Sequence, residues 1–487
     1  MSEVQRARMA EGAAQVAQWG GFPDFAGAMQ VLTAPAHLPV RIDVCRQALA
    51  GIDRVTLPLA WVMVALTLAD ALREHAGYAG PADMREVIAL YTAALEILTP
   101  EGEPAQFAHV QHYLGDSYML ATGGNQVHNA EAAVACYEAA LALRSRAAEP
   151  GPWAATMAHL GEALLRRAHA DPSVDVERAV DVLEQAIDVL EGTDRRFLAV
   201  TRLSLAAALT ARLSGTRDAN LRAAARQLRS AMEDVQPDEH PDVWAMASAH
   251  LGSVYLSRAG LDLHEREPLL KKAEHGFRAA LGVAGVGPRE RARAHAGLAW
   301  ALSDLATGGP EADTEAVSHH EAAIALYEQM GHPFDLERAH AHRNLAIQYS
   351  ERRFGSAEEN VAAASRHFDE ALELLPPDDY PVERRDTFRP MASMYFKARR
   401  WDEAHRCFDK AIAASGDVLA NRLTRPGKEA EVAENRDLYG PAAYTLLRLG
   451  RPGEALEVME QGKIRMSAEA VSRKNARAGA SRLDLQA

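Results

Sequence analysis

Apolar and small residues recur along this chain at three- and four-residue spacings that spell out one helix after another. Within residues 153–167, Ala154, Met157, Gly161 and Leu164 fall on one helical face, and Ala168 extends it. Within residues 176–190, Ala179, Leu183, Ala186 and Leu190 do the same, and Asp171-Pro172-Ser173 between the two segments reads as a turn. Each predicted helix carries a stripe mixing small and bulky side chains. One pair cannot bury both stripes alone, so the pattern requires neighbours of the same shape.

Those neighbours are in the sequence. Aligning the small residue of the first helix gives Ala69, Gly115, Gly161, Ala206, Gly252, Ala299, Ala346, Ala392 and Ala443, spaced 45 to 47 residues apart with a last interval of 51. The second helix has its own series: Ala94, Ala140, Ala186, Ala231, Ala280, Ala323, Ala371, Ala411 and Gly462. Three residues ahead of these stand Tyr91, Tyr137, Leu183, Leu228, Phe277, His320, Phe368, Phe408 and Met459. A period near 46 with small residues at two fixed points is the mark of a helical solenoid. No alternating apolar–polar run is long enough for a sheet.

The expected fold is therefore all-α, a right-handed α-solenoid of about nine helical hairpins. Residues 1–52 are expected to form an irregular N-terminal helical cap or degenerate repeat. Gln5 to Trp19 reads as a helix ended by Gly20-Gly21 and Pro23, and Cys45, Ala48 and Leu49 fit the second-helix pattern. Residues 53–472 are the solenoid, and 473–487, rich in Arg, Ser, Ala and Gly, a flexible tail. Pro100, Pro104, Pro150, Pro152, Pro237, Pro241, Pro376, Pro377 and Pro381 punctuate the loops. Asp83, Asn129, Asp175, Asp218 and Asp313 stand where second helices should begin, as caps or first-turn residues.

Leu114-Gly115-x-x-Tyr118, followed by Ala133, Tyr137 and Ala140-Leu141, resembles the tetratricopeptide repeat (TPR). The compact unit Met391-Ala392-Ser393-Met394-Tyr395, with Trp401-Asp402-Glu403-Ala404, Phe408 and Ala411-Ile412, resembles it most closely. The resemblance covers roughly Pro58 to Ser472. Most units exceed the usual length of about 34 residues, so peptide-binding positions of the family do not transfer directly, and its carboxylate-clamping set is not reproduced. A narrower resemblance begins at Ala443-Tyr444 and runs through Leu449-Gly450-Arg451-Pro452 to Gly462-Lys463. It looks like the last repeat before a CHAT domain, a caspase-like protease module found in bacterial signalling proteins. Only 25 residues follow Gly462 in this sequence. The expectation is a sensor or scaffold half standing alone, with a separately encoded protease or signalling protein as its partner, or a chain cut before its effector.

Composition narrows the classes. A formal charge of −14 argues against a general nucleic-acid binder. Three widely spaced cysteines do not make a disulfide framework. Neither a secretion signal nor an apolar run of the ~20 residues a membrane span needs is present. A cytoplasmic protein is expected.

Candidate chemistry is sparse. Cys45, Cys136 and Cys407 occupy core positions of second helices, where cysteine is a small hydrophobe rather than a nucleophile. His319-His320 and His340-x-His342 cannot by themselves share a helix face, so neither pair alone makes a metal site. His295 and His342, each four residues before a marker alanine, read as polar residues of the surface, with stacking across neighbouring first helices as the alternative. Gly282 to Pro288 lacks the lysine of a phosphate loop and follows a helix, so it reads as a connector. No catalytic residue, metal or cofactor is expected. The first helices, which line the inner surface of such a solenoid, carry Asp70, Asp116 and Glu162 early and Arg293, His340, Arg343 and Arg389 late. These seven are the candidate groove for a partner polypeptide, oriented by charge. The alternatives are an enzyme with a pocket inside the solenoid and the sensory part of a transcription regulator.

Overall fold

A computed structural model of the chain describes residues 38–79, 84–121, 126–168, 172–305, 309–352, 354–377, 379–421, 431–432 and 435–463. The helix expected over Gln5–Trp19, Asp83 and the 473–487 tail lie outside the described residues.

Every described element is helical. Helix α1 (Leu38–Gly51) precedes the pairs α2 (Pro58–Ala79) and α3 (Arg85–Leu95), α4 (Pro104–Leu120) and α5 (Gln126–Leu141), and α6 (Pro150–Arg167) and α7 (Pro172–Leu190). Next come α8 (Arg195–Ala211) and α9 (Arg217–Asp234), α10 (Pro241–Ala259) and α11 (Arg266–Gly282), and α12 (Pro288–Leu305) and α13 (Gly309–Met330). The last pairs are α14 (Asp335–Glu351) and α15 (Ala357–Glu373), α16 (Pro381–Lys397) and α17 (Trp401–Asn421), and α18 (Tyr439–Arg448) with helical residues 452–463. The helices fall into two compact units. The first comprises residues 1–170 and 175–194, the second residues 171–174 and 195–487.

Each first-helix marker falls on an even-numbered helix and each second-helix marker on its partner, nine pairs among the described residues. Consecutive helices pack as antiparallel hairpins, a TPR-like repeat fold within each unit. The markers are buried because the bulky residue of the second helix lies on them. A Cβ built on Gly115 would sit 2.6 Å from the Tyr137 ring, and on Gly252 2.9 Å from the Phe277 ring. In the last hairpin the roles swap, and Gly462 receives the Tyr439 ring at 2.7 Å. Helix α1 buries Ile42, Cys45 and Ala48 against Val64 and Leu68 of α2, as a second helix would.

Proline does more than punctuate loops. Pro104, Pro150, Pro241 and Pro381 are the first residues of α4, α6, α10 and α16, where a missing N–H costs nothing and the fixed φ favours the helix. The capping positions also differ from expectation. Thr216 and Ser356 cap α9 and α15, accepting from Ala219 N–H and Glu359 N–H. Asp175 and Asp218 lie in first turns as expected. Asp313 is a full turn inside α13, buried, and accepts from Gln348 of α14 (2.8 Å) and from Arg352 just past its end (2.5 Å). Helix α16 ends in a Schellman motif: Arg400 N–H bonds the Tyr395 carbonyl at 2.9 Å and Arg399 N–H the Phe396 carbonyl at 3.1 Å. The residue in the left-handed position is Arg399, at φ 57°. In the same motif at the end of α18 that residue is Gly450, at φ 73°. No helix among the described residues is long and apolar enough to cross a membrane.

Candidate binding surfaces and polar clusters

The structure divides the seven groove residues between the units: Asp70, Asp116 and Glu162 in the first, Arg293, His340, Arg343 and Arg389 in the second.

In the first unit the acidic residues that follow each marker are tied down. The ring of Tyr91 packs in the hairpin core and its hydroxyl donates to Asp70 Oδ1 at 2.5 Å. One period on, Tyr137 donates to Asp116 Oδ1 at 2.8 Å. The same hairpin geometry thus gives the marker the ring and the next residue the hydroxyl. Asp116 also forms an ion pair with His159 Nδ1 of α6 at 2.9 Å and lies 3.7 Å from His112 Nε2. The two imidazoles stack with centroids 5.1 Å apart, and His112 Nδ1 is 3.0 Å from Thr156 Oγ1.

Burial works against the Asp116 charge, but His159, His112 and Tyr137 outweigh it and hold the carboxyl down at about 2. Burial would lower His159 as well; its bond to Asp116 reverses the sign and raises it. His112, desolvated with only partial help from Asp116, is held down at about 3. Arg73 Nη1 lies 3.9 Å from Asp116, and its guanidinium sits 4.2 Å over the Tyr113 ring. This is an internal charge network in which Asp116 favours the charged form of His159. Asp70 lines a hollow of about 520 Å³ with Arg73, Glu74 and His109. Glu162 is half-buried and adds its charge to the field at His159.

In the second unit a cavity of about 1240 Å³ opens on the first helices. Its walls include Ser253 and Ser257 of α10, Trp300 and Asp304 of α12, Arg343 and Asn344 of α14, and Arg389 and Ser393 of α16. Ile347, Phe396 and Leu438 supply apolar surface, and Trp300 is 39% exposed. Arg343 and Arg389 are thus brought together. Arg293 and His340 are not part of the lining; Arg293 acts instead on His250 and on the Tyr327 hydroxyl.

The carboxylates of the cavity are partly committed. Asp304 pairs with Arg266 at 2.9 Å, and Asp386 accepts from Arg385 Nε at 2.9 Å. Arg385 is itself buried and grips Glu431 at 2.5 Å. Burial lowers the Arg343 guanidinium, with Asp386 and Glu383 only partly offsetting it. Pro390, inside α16 and in the wall, leaves the Asp386 carbonyl without its helical donor.

A further fixed point lies four residues before each marker, where the two helices of a hairpin face each other. In the second unit Arg202 Nη1 donates to Gln227 Oε1 at 3.2 Å, and Ser248 Oγ to the Gly276 carbonyl at 2.9 Å. His295 Nδ1 meets His319 Nδ1 at 2.9 Å, and His342 Nδ1 meets His367 Nδ1 at 3.2 Å. In the next hairpin Phe388 and Cys407 fill the same point in one apolar cluster. His295 and His342, read from the sequence as polar residues of the surface with stacking across neighbouring first helices as the alternative, each pair instead with the second helix of their own hairpin. The missed signal was available: His319 and His367 also stand four residues before their markers. Spacing along one helix or along successive first helices does not register such cross-hairpin pairs.

The three cysteines are buried, and burial pushes their thiols up to about 11 (Cys45), 12 (Cys136) and 11 (Cys407). They are packing residues, as their register implied.

No protein-family model matches the chain, and no curated protein does. Among solved structures, a Rap protein complexed with competence and sporulation factor is similar over 75% of this chain and 99% of its own length, at 12% identity and a TM-score of 0.40. The C-terminal part of a TPR repeat-containing protein from Cytophaga hutchinsonii is similar over 65% of this chain and 99% of its own, at 12% identity and a TM-score of 0.30. The fold rests on the chain's own hairpin register: TPR-like helical repeats.

Proposed function

We propose that this protein is a binding scaffold or sensor that holds an acidic polypeptide segment on the first helices of its second unit. The observation that carries this reading is Arg343: a half-buried guanidinium in the wall of a cavity of about 1240 Å³, whose neighbour Asp386 is engaged by Arg385. A desolvated cation gains most from a ligand carboxylate, and a guanidinium takes one bidentately. Arg389 adds a second such group, and Trp300 and Phe396 offer the apolar, partly aromatic contact on which binding energy concentrates. The cavity is large enough for several residues of an extended chain. The resemblance of the last hairpin to units that precede caspase-like proteases makes a separately encoded protease or signalling protein the first partner class to try.

The test is an array of acidic and neutral peptides probed with the full chain and with Arg343→Glu/Arg389→Glu. Binding to acidic peptides should fall in the variant, chiefly through slower association, and high salt should narrow the difference. Equal binding by both proteins, or loss only on substitution of exposed second-helix residues such as Glu184 and Arg226, would refute the reading.

A further inference from the structure

His342, His367 and Glu370 bring three donor atoms to one point. His342 Nδ1 and His367 Nδ1 are 3.2 Å apart, and Glu370 Oε2 lies 3.0 Å from the first and 2.8 Å from the second. A tetrahedral ion with bonds of about 2.0–2.2 Å holds its donors roughly 3.3 Å apart, so opening this triangle by a few tenths of an ångström admits one. Protons fill it less well. If both rings turn an N–H toward Oε2, two like partial charges face each other across the 3.2 Å gap.

The donors stand on rigid supports. His367 and Glu370 are one turn apart on α15, and His342 is buried on α14. Tyr349 stacks on the His367 ring, the planes 9° apart, which fixes its orientation. Glu370 is 41% exposed, so one side of the triangle faces solvent. Arg338, the cation that acts on His342, is held by Asp335 at 3.3 Å.

Two comparisons within the chain sharpen the point. The His295–His319 pair sits in the same register one hairpin earlier, but Ala322 stands where this hairpin has Glu370. Its nearest acid, Glu315, lies 3.8 Å from the other nitrogen of His319. The cluster of His112, Asp116 and His159 also has three donors, but there the Arg73 guanidinium lies 3.9 Å from the Asp116 carboxylate and already sets a positive charge beside it. Of the two clusters with two imidazoles and a carboxylate, the one at Glu370 has only histidines in the ion-pair contacts of its carboxylate among the described residues. We propose that His342, His367 and Glu370 bind a divalent transition-metal ion of the zinc class, with a fourth position left to solvent or to a ligand. Two imidazoles and one carboxylate suit zinc, cobalt or nickel better than calcium or magnesium.

The experiment titrates Zn²⁺ alone into the chelator-stripped full chain by calorimetry, and follows Co²⁺ in the visible spectrum. One ion per chain is expected, with the intense visible bands of tetrahedral Co²⁺. Glu370→Gln and His367→Gln should each weaken Zn²⁺ by more than about 100-fold, since outer partners alone contribute about 10–100-fold. Circular dichroism confirms folding, and Zn²⁺ should raise the melting temperature of the parent protein but not of these variants. His295→Gln and His159→Gln should bind as the parent does. No stoichiometric Zn²⁺ binding, unchanged affinity in Glu370→Gln and His367→Gln, or loss in His159→Gln would each overturn the assignment.

Discussion

Gly161 and Leu183 approach so closely that a Cβ on the glycine would lie 2.5 Å from Leu183 Cγ. That atom is the branch point of a fully buried side chain, not a free end, so the helix pair has no slack there. Gly161→Leu should destabilise the protein by about 1–3 kcal/mol through overpacking. Leu183→Ala in the same chain should recover part of the loss, because it empties the space the new side chain needs. Thermal unfolding of the two single variants and the double variant measures both effects; additivity would show that the residues do not share this contact.

The Asp116–His159 pair should give the first unit a pH-dependent contribution. Asp116 is depressed to about 2, so its share is full above its unfolded value near 4 and is lost as pH falls through about 2. His159 is raised, so its share is full below its unfolded value of about 6.5 and is lost as pH rises through the folded value. A double-mutant cycle with Asp116→Asn and His159→Gln should show its largest coupling near pH 5.5, where both charges are present, and a decline once the pH passes the raised folded value of His159. A coupling that grows with pH would contradict the ion pair.

His320 occupies the position that Phe277 and Phe368 fill in the flanking repeats. It is 1% exposed, its Nδ1 has no hydrogen-bond partner, and burial beside His319 and His367 holds it down at about 4. His320→Phe should therefore stabilise the chain at pH 7 by about 1–3 kcal/mol, the cost of an unsatisfied buried polar group. It should also flatten the loss of stability between about pH 6.5 and 4, where the unfolded chain takes up the proton that folded His320 refuses. Melting curves at pH 7 and pH 5 decide the matter.

Arg399 holds a left-handed backbone at φ 57° on an exposed side of its turn. Arg399→Gly should stabilise the hairpin by about 0.5–1 kcal/mol, the net of relieved strain and lost backbone entropy. Gly450→Arg, at the matching turn, should cost a similar amount. Opposite signs in the two melting temperatures are the expected result.

The sequence made the scaffold readable because close packing leaves a periodic trace: only Gly fits under Tyr137, Leu183 and Phe277, and a Gly or Ala recurs at each interval. Polar partnerships leave no such trace. Asp116 draws its neighbours from α4, α5 and α6, and His342 finds His367 across the hairpin 25 residues away. Arg343 and Arg389 could be placed on first helices from their offsets, but the walls around them come from several hairpins at once. Asp313 misled for a simpler reason. Helix α13 starts at Gly309, earlier than its acidic residue suggested, which moves the carboxylate from cap to core.

The point four residues before each marker has held Arg202 with Gln227, Ser248 with Gly276, two histidine pairs, and Phe388 with Cys407, all on one backbone frame. The frame is fixed by the markers a turn away, so the chemistry at this point is free to change without redrawing the hairpin. Each hairpin in the second unit therefore carries an exchangeable cassette of two residues. Moving a carboxylate into the earlier histidine hairpin, by Ala322→Glu, would transplant a three-donor site one period along the chain, and repeat arrays of this kind acquire new chemistry one substitution at a time.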